Sequence, residues 1–208
     1  MPRMAYAPTS YRVPTLAEQA KILRVTGKHA DGYRDHMLFS VALGSALRTH
    51  EIAALNVGDV IHAGKPRSRV QLEHYKGRGK TKKARRGQYV FFGRPLRRKI
   101  VKFIGWKKRR GESVAPDAPL FVTSRPPLER LSRRTIRHTS QKWQRLAGID
   151  RPYNFHAFRH AALTNLYHLK NDIRAVQRIA RHADIDMSMV YTQITDEQLE
   201  RAVDGLPC

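Results

Sequence analysis

One stretch of this 208-residue chain, KGRGKTKKARRG, is too charged and too rich in glycine for a protein core. Residues 63–87, of which it is the most basic part, carry ten lysines and arginines against a single acidic residue, Glu73. Short strand-prone segments lie on both sides of that part, RVQLE before it and QYVFF after it. Two such segments joined by a charged, glycine-containing stretch are typical of an antiparallel hairpin. The sequence therefore predicts a β-hairpin over residues 68–92 with an exposed, strongly basic turn.

Most of the remaining chain shows the spacing of amphipathic helices, with apolar residues recurring at intervals of three and four. Thr15 and Glu18 form a capping box at the first helix, and Thr195 and Gln198 suggest another near the C-terminus. The predicted helices cover about residues 15–26, 31–46, 49–55, 95–110, 132–146, 155–170, 172–182 and 187–191. A short strand is predicted at 120–122.

These elements predict an α+β fold that is mainly α, with a small antiparallel sheet. The best linker candidate, residues 111–119, is too short to separate two independent cores. We therefore expect residues 1–208 to form a single domain. The N-terminal residues contain no apolar run of the kind found in secretory signals, and no run approaches the roughly 20 residues of a membrane span.

Charge is the main compositional guide to function. Forty Lys and Arg against 17 Asp and Glu give a net charge of +23. Such a field attracts polyanions, and double-stranded DNA is the first candidate because each neutralised phosphate releases counterions. An anionic membrane surface and a nonspecific basic role, for example at the ribosome, are the alternatives. The single cysteine, Cys208, excludes an internal disulfide framework and a multi-cysteine zinc site, so we expect a cytoplasmic, nucleoid-associated protein.

Two familiar kinds of site have only partial sequence support. His156 and His160 have the i, i+4 spacing of a zinc-binding pair, but Ala157 stands where H-E-x-x-H has its glutamate. Gly79-Lys80-Thr81 resembles the end of a phosphate-binding loop, but Gly77 lies only two residues before Gly79 and no helix pattern follows. Zinc is thus a minor alternative, and we predict neither a cofactor nor a catalytic metal.

Four short motifs occur in a fixed order along the chain. They are ALRTHEIAAL, GKTKKAR, NFHAFRHAA and ARHADIDMSMVYTQI. Together they resemble the tyrosine recombinase, or phage integrase, family over about residues 15–203. Each motif alone is weak, and their joint order and spacing carry the resemblance.

The resemblance implies a set of catalytic positions. Arg48, followed by Glu51, matches the family arginine of TGLR-x-x-E, with Ser45-Ala46 in place of the threonine and glycine. The H-x-x-R-H element matches His156, Arg159 and His160. The G-H element matches His182, with Arg181 where glycine is usual, and Tyr191 follows nine residues later.

The family lysine lies in a G-K-x-x-K-x-R pattern within a hairpin turn. Gly79-Lys80, Lys83 and Arg85 fit this spacing, and Lys76 offers a second register. We favour Lys80. By the resemblance, this lysine protonates the 5′-oxygen leaving group.

The residue types suit attack on a phosphodiester. The reaction builds negative charge on phosphorus, which arginines stabilise through bidentate hydrogen bonds. A phenol with a pKa of about 10 needs an electropositive site or a base to attack near neutrality. The resemblance implies that Tyr191 forms a 3′-phosphotyrosine link, that Arg48 and Arg159 hold the phosphate, and that His156 and His182 assist by hydrogen bonding and proton transfer.

The sequence therefore favours a site-specific DNA recombinase that assembles as a homo-oligomer, most simply a tetramer, on paired DNA sites. Many relatives carry an N-terminal helical DNA-binding domain, for which the chain has no room, so an accessory DNA-binding protein is a possible partner. A type IB topoisomerase-like enzyme and a noncatalytic DNA-binding protein of the same fold are the alternatives.

Overall fold

A computed structural model describes residues 12–29, 31–72, 89–182, 184–189 and 191. The helices are α1 Leu16–Lys28, α2 Tyr33–Ser45, α3 Thr49–Ala54, α4 Val57–Val60, α5 Arg94–Arg109, α6 Arg133–Leu146, α7 His156–Lys170, α8 Ile173–Ala180 and α9 Asp186–Met189. The strands are β1 Ile61–His62, β2 Lys65–Pro66, β3 Arg69–Gln71 and β4 Tyr89–Phe91. The predicted α+β, mainly α class is confirmed.

Local capping chemistry explains where several helices begin. The Thr15 hydroxyl accepts a hydrogen bond from the Glu18 backbone N–H at 3.2 Å, and the Glu18 carboxylate accepts from the Thr15 N–H at 2.8 Å, which confirms the predicted capping box of α1. Ser132 caps α6 by accepting from the Thr135 N–H at 3.0 Å. Each cap satisfies backbone donors that have no partner within the helix.

The chain forms two compact units, residues 11–162 and the C-terminal residues from 163 onward. In the first unit, α2 is central and packs against α1, α3 and α5. Residues 37–42 of α2 are buried on successive positions, so this helix is surrounded by protein rather than amphipathic. Phe103 and Phe121 contact each other in the same core, as do Phe39 and Phe158.

The predicted hairpin is confirmed where the structure describes it. Strands β3 and β4 pair antiparallel, with Val70 opposite Val90, and both of these valines are buried. The basic turn at residues 73–88 lies outside the described residues. The predicted strand at 120–122 is wrong in part, because this segment makes only isolated bridges, such as Val122 with Arg130.

A second small hairpin was not predicted. β1 and β2 pair antiparallel through a two-residue turn at Ala63 and Gly64, which both have positive φ, 47° and 75°. Positive φ at both central residues is the geometry of a type I′ turn. The sequence contains no indication of this hairpin, because an alanine at the first turn position is not typical of a type I′ turn.

In the C-terminal unit, Asp172 caps α8 by accepting from the N–H groups of Arg174 and Ala175 at 2.8 and 3.1 Å. α8 ends at Arg181, and α9 begins at Asp186 and packs against α8. The capped segment predicted from Thr195 lies outside the described residues. Within the part of the chain that is described, no helix is both long and apolar enough to cross a bilayer.

Candidate functional site

Arg48 is held at the start of α3 by a buried carboxylate. Glu51 accepts a hydrogen bond from the Arg48 backbone N–H at 2.7 Å, and its other oxygen lies 3.3 Å from the Arg48 guanidinium. Glu51 is 1% exposed, whereas 30% of the Arg48 side chain is accessible. The buried acid therefore orients a cation that remains open to an incoming ligand.

Arg159, on the first turns of α7, is tied to the segment that carries Arg48. Its guanidinium is buried and donates to the backbone carbonyl of Ala46, two residues before Arg48. This hydrogen bond joins α7 to the end of α2, so the two arginines are fixed relative to each other.

His156 and His160 lie one turn apart on α7, with ring centroids 4.8 Å apart and planes at 84°. Desolvation and the nearby charges of His160, Arg159, Arg48 and His50 lower the pKa of His156 to about 4. The pKa of His160 is also lowered, by burial and by Arg159. Both imidazoles are therefore neutral at physiological pH, and His156 is in the field of both arginines.

His50 belongs to this cluster, although the sequence analysis assigned it no role. It lies on α3, two residues after Arg48, close enough to His156 to lower its pKa. A single histidine on an exposed helix face carries no signal of its own. Only its position in the Arg48 motif could have indicated it.

A cleft of about 590 Å³ opens beside His156. It is lined by Thr49, Ser132, Arg133, Arg134, Arg137, Asn154, Phe155 and His156. The three arginines lie on the first turns of α6 and are exposed. Arginine side chains on an open surface suit the phosphates of a polyanion. These three arginines could not be predicted as a group, because nothing in their spacing distinguishes them among the 40 lysines and arginines of the chain.

The C-terminal unit brings His182 and Tyr191 together. The His182 Nδ1 lies 2.9 Å from the Ser188 hydroxyl, and the Tyr191 backbone N–H donates to the Ser188 carbonyl at 3.1 Å. The two rings stack, with centroids 6.2 Å apart and planes at 21°. Tyr191 is 5% exposed. Ser188 thus holds the histidine and the proposed nucleophile in one small arrangement.

The predicted site residues therefore fall into three groups. Arg48, His156 and Arg159 converge in the first unit, and His182 and Tyr191 pair in the second. Lys80, with its alternative Lys76, lies outside the described residues. Among the residues that are described, no group of three or more His, Cys, Asp or Glu side chains is arranged to hold a metal ion.

At two positions where the family motifs have glycine, this chain has another residue, and both positions have a left-handed backbone conformation. Ala46, which ends α2, has φ 53°, and Arg181, which ends α8, has φ 56°. This conformation costs a residue with a Cβ about 1 kcal/mol or more relative to glycine. The glycines of the family motifs therefore match the backbone that these two positions require.

Ala46→Gly should leave the free energy of unfolding unchanged or raise it slightly, because relief at φ 53° offsets the greater freedom of glycine in the unfolded chain. Ala42→Gly, a matched change inside α2, should instead cost about 1 kcal/mol. Urea unfolding of both variants measures the difference. Equal destabilisation at the two positions would contradict the left-handed assignment.

Comparison with known proteins gives a consistent result. The phage integrase family model matches residues 13–198. The tyrosine recombinase XerC of Proteus mirabilis is 27% identical over 189 residues, covering 90% of this chain and 56% of XerC. XerC of Neisseria gonorrhoeae is 30% identical over 205 residues, covering 93% of this chain and 59% of that protein. The chain thus spans little more than half the length of these relatives.

Two solved structures share the fold. The XerA recombinase has a TM-score of 0.70 at 23% identity, covering 100% of this chain and 67% of that one. The Tn1549 transposon integrase, in complex with a circular intermediate DNA, has a TM-score of 0.70 at 18% identity, covering 98% of this chain and 68% of that one. Because the family model matches residues 13–198, which is nearly the whole chain, this protein belongs to the phage integrase family.

Proposed function

We propose that the protein is a site-specific DNA recombinase that cuts and rejoins DNA through a 3′-phosphotyrosine intermediate. The observation that carries the proposal is the convergence of Arg48, His156 and Arg159 beside the arginine-lined cleft. The XerC relatives are named as tyrosine recombinases, and the Tn1549 integrase was solved with DNA, which supports double-stranded DNA as the substrate.

The geometry within each unit supports the roles that we propose. Arg48, oriented by Glu51, and Arg159, held by Ala46, supply donors for the nonbridging oxygens of the scissile phosphate. Neutral His156 can donate or accept one proton there, and a bound phosphate would raise its lowered pKa because opposite charges favour the protonated form. This coupling lets phosphate binding make His156 a better proton acceptor.

The covalent step needs no outside source of energy. The Tyr191 oxygen attacks phosphorus and passes its proton to one of the assisting histidines, His156 or His182. The bond from phosphorus to the 5′-oxygen breaks, and Lys80 gives that oxygen a proton. The product remains a phosphodiester, now between the DNA 3′ end and tyrosine. Attack by a 5′-hydroxyl reverses the step, so strands can be exchanged and rejoined without ATP.

Incubation with a nicked suicide substrate tests the function. Loss of the short 5′-hydroxyl fragment prevents religation, so a protein–DNA adduct should accumulate and survive a denaturing gel. The same yield is expected in EDTA, because protein cations replace a metal in this mechanism. No adduct would support the noncatalytic alternative, and an adduct lost in EDTA and restored by Mg²⁺ or Zn²⁺ would overturn the cation-only mechanism.

The alternative enzymatic outcome is relaxation of supercoils by a type IB topoisomerase-like reaction. Both reactions form the same adduct, so the discriminating measurement is the product formed from paired sites. A recombinase exchanges partners between two duplexes, whereas the alternative changes only the linking number of one plasmid.

We also propose assembly on DNA, most simply as a tetramer, because exchange between two duplexes requires four cuts. A net charge of +23 disfavours association in free solution, and DNA phosphates neutralise this repulsion. An accessory DNA-binding protein is a further possible partner. Action on chromosomal DNA corresponds to a cytoplasmic, nucleoid-associated location.

Deletion of residues 195–208 should spare DNA binding but impair recombination. This segment holds Leu199, Ala202 and Val203 in an amphipathic pattern that is too short to form a stable helix alone, so it needs a surface to pack on. Sedimentation of the DNA complex should show smaller assemblies than the full chain forms. Removal of residues 205–208 alone is the control, and normal assembly of the longer deletion would place the interface elsewhere.

A further inference from the structure

Three side chains connect the beginning of α1 with the turn that leads into α7. They are Arg12, Glu18 and Tyr153. The Tyr153 hydroxyl donates to the Glu18 carboxylate, at 2.9 Å from Oε1 and 2.8 Å from Oε2. The Arg12 guanidinium lies over the Tyr153 ring, 4.4 Å from its centroid, and donates to the Arg151 carbonyl at 2.9 Å. Three different contacts therefore converge on residues 151–153.

Gln144 of α6 also holds this turn, through hydrogen bonds to Tyr153. The side-chain oxygen of Gln144 accepts a hydrogen bond from the Tyr153 backbone N–H at 2.7 Å. The side-chain NH₂ group of Gln144 donates to the Tyr153 backbone carbonyl at 3.0 Å. Gln144 is fully buried, and its amide also bonds the Ser140 hydroxyl. A buried side chain that satisfies both backbone groups of one residue leaves that residue little freedom.

Tyr153 lies three residues before His156. Between them, Asn154 accepts from the Ala157 N–H through its side chain at 3.0 Å, which caps the first turn of α7. Asn154, Phe155 and His156 also line the cleft beside the arginines of α6. His156 therefore follows directly on a turn that is held both by Arg12 and Glu18 and by Gln144 of α6.

We propose that Arg12, Glu18 and Tyr153 form a positioning cluster that fixes His156 against Arg48 and Arg159. The cluster touches no reacting atom and acts through the turn at residues 151–155. The inference deepens the proposed function, because its value for catalysis rests on His156 taking part in the cleavage of DNA.

The ionisation states of Glu18 and Tyr153 strengthen the hydrogen bond between them. Burial alone would raise the pKa of Glu18, but hydrogen bonds from the Thr15 backbone N–H and the Tyr153 hydroxyl outweigh it and lower that pKa. Burial and the Glu18 carboxylate raise the pKa of Tyr153. A charged acceptor thus faces a protonated donor at neutral pH, which gives a stronger hydrogen bond than a neutral pair. The exposed ion pair between Arg12 and Glu18, at 3.9 Å, adds little by itself.

Titration of the His156 ring by NMR tests the proposal in the free, full-length protein. The His156 signal is assigned by its absence from the spectrum of His156→Gln. Arg12→Ala and Tyr153→Phe should each raise the pKa of His156 from about 4 toward 6.5. A shift of about half a unit or more is expected, because a loosened turn admits water to the ring and moves it from the arginines. In each variant, the pH profile of DNA cleavage should shift in the same direction.

Matched controls separate positioning from simple stabilisation. Arg24→Ala removes an equal charge from an exposed position on α1, and Tyr33→Phe removes a hydroxyl from α2. Both controls should leave the His156 titration at its wild-type position. Unchanged titration in Arg12→Ala, with or without a lower melting temperature, would overturn the proposal even if Tyr153→Phe does not fold. Absence of a DNA adduct with the wild-type protein would instead count against the proposed function, because the titration needs no DNA.

Discussion

Tyr191→Phe should form no covalent adduct with a suicide substrate while binding DNA with nearly wild-type affinity. The substitution removes the one oxygen that attacks phosphorus in the proposed mechanism. It leaves unchanged the cations that supply most of the affinity for DNA, whose effect depends on the number of phosphates neutralised. The phenyl ring can keep its stacking on His182 and its place in the buried site. The measurements are a denaturing gel for the adduct and a salt series of binding constants.

Tyr167→Phe is the matched control for this variant, since it removes a phenol hydroxyl from α7 and should retain full adduct formation. His182→Ala should reduce the adduct without abolishing it, because an assisting group contributes a factor of about 10²–10⁴ rather than the whole reaction. An adduct at the wild-type level in Tyr191→Phe would move the nucleophile to another tyrosine. Tyr153, Tyr167 and Tyr89 would then be the candidates.

The part of the fold that depends on neighbours in the chain could be predicted from the sequence. Thr15 and Ser132 start their helices because a side-chain oxygen satisfies backbone donors within three residues. The β3–β4 hairpin was predicted from strand-prone segments on both sides of a basic segment that is too charged for the core. In each case the determining interaction is local, so the sequence pattern contains it.

The interactions that set the geometry of the site are not local. Arg159 bonds the carbonyl of Ala46, 113 residues earlier, and Tyr153 bonds Glu18 across 135 residues. Ala46 has a left-handed backbone without being the glycine that usually indicates one, so its residue type gave no signal of this conformation. The lowered pKa of His156 arises from its burial and from the nearby His160, Arg159, Arg48 and His50, which only the fold brings together.

The order of motifs could indicate the proposed catalytic residues, because the motifs are matched to a family and do not depend on local structure. It could not indicate the supporting residues. His50 lies inside the Arg48 motif but at none of its family-matched positions, and Arg133, Arg134 and Arg137 of α6 belong to no motif. His50 nevertheless lies close enough to His156 to lower its pKa, and the three arginines line the cleft beside it. In a chain with 40 lysines and arginines, composition predicts a polyanion as partner but not the surface that meets it.

Lys80→Ala should slow cleavage of an ordinary phosphodiester by a factor of about 10²–10⁴, the usual contribution of a general acid. A substrate with sulfur at the 5′-bridging position should restore the rate, because a thiolate leaves with little need for a proton. The corresponding change at Lys76 should mainly weaken binding and reduce its salt dependence by about one phosphate contact. The two lysines, four residues apart in the same basic segment, thus give qualitatively different defects.

Lys82→Ala is the matched control, since it removes a third lysine from the segment without touching either candidate register. It should behave as Lys76→Ala does, with weaker binding and no response to sulfur. If sulfur rescues Lys76→Ala and Lys80→Ala cleaves at a normal rate, Lys76 rather than Lys80 protonates the leaving group. If sulfur rescues neither variant, the proton comes from another group, and His156 becomes the first candidate because Arg48 and Arg159 place it beside the phosphate site and a bound phosphate raises its pKa.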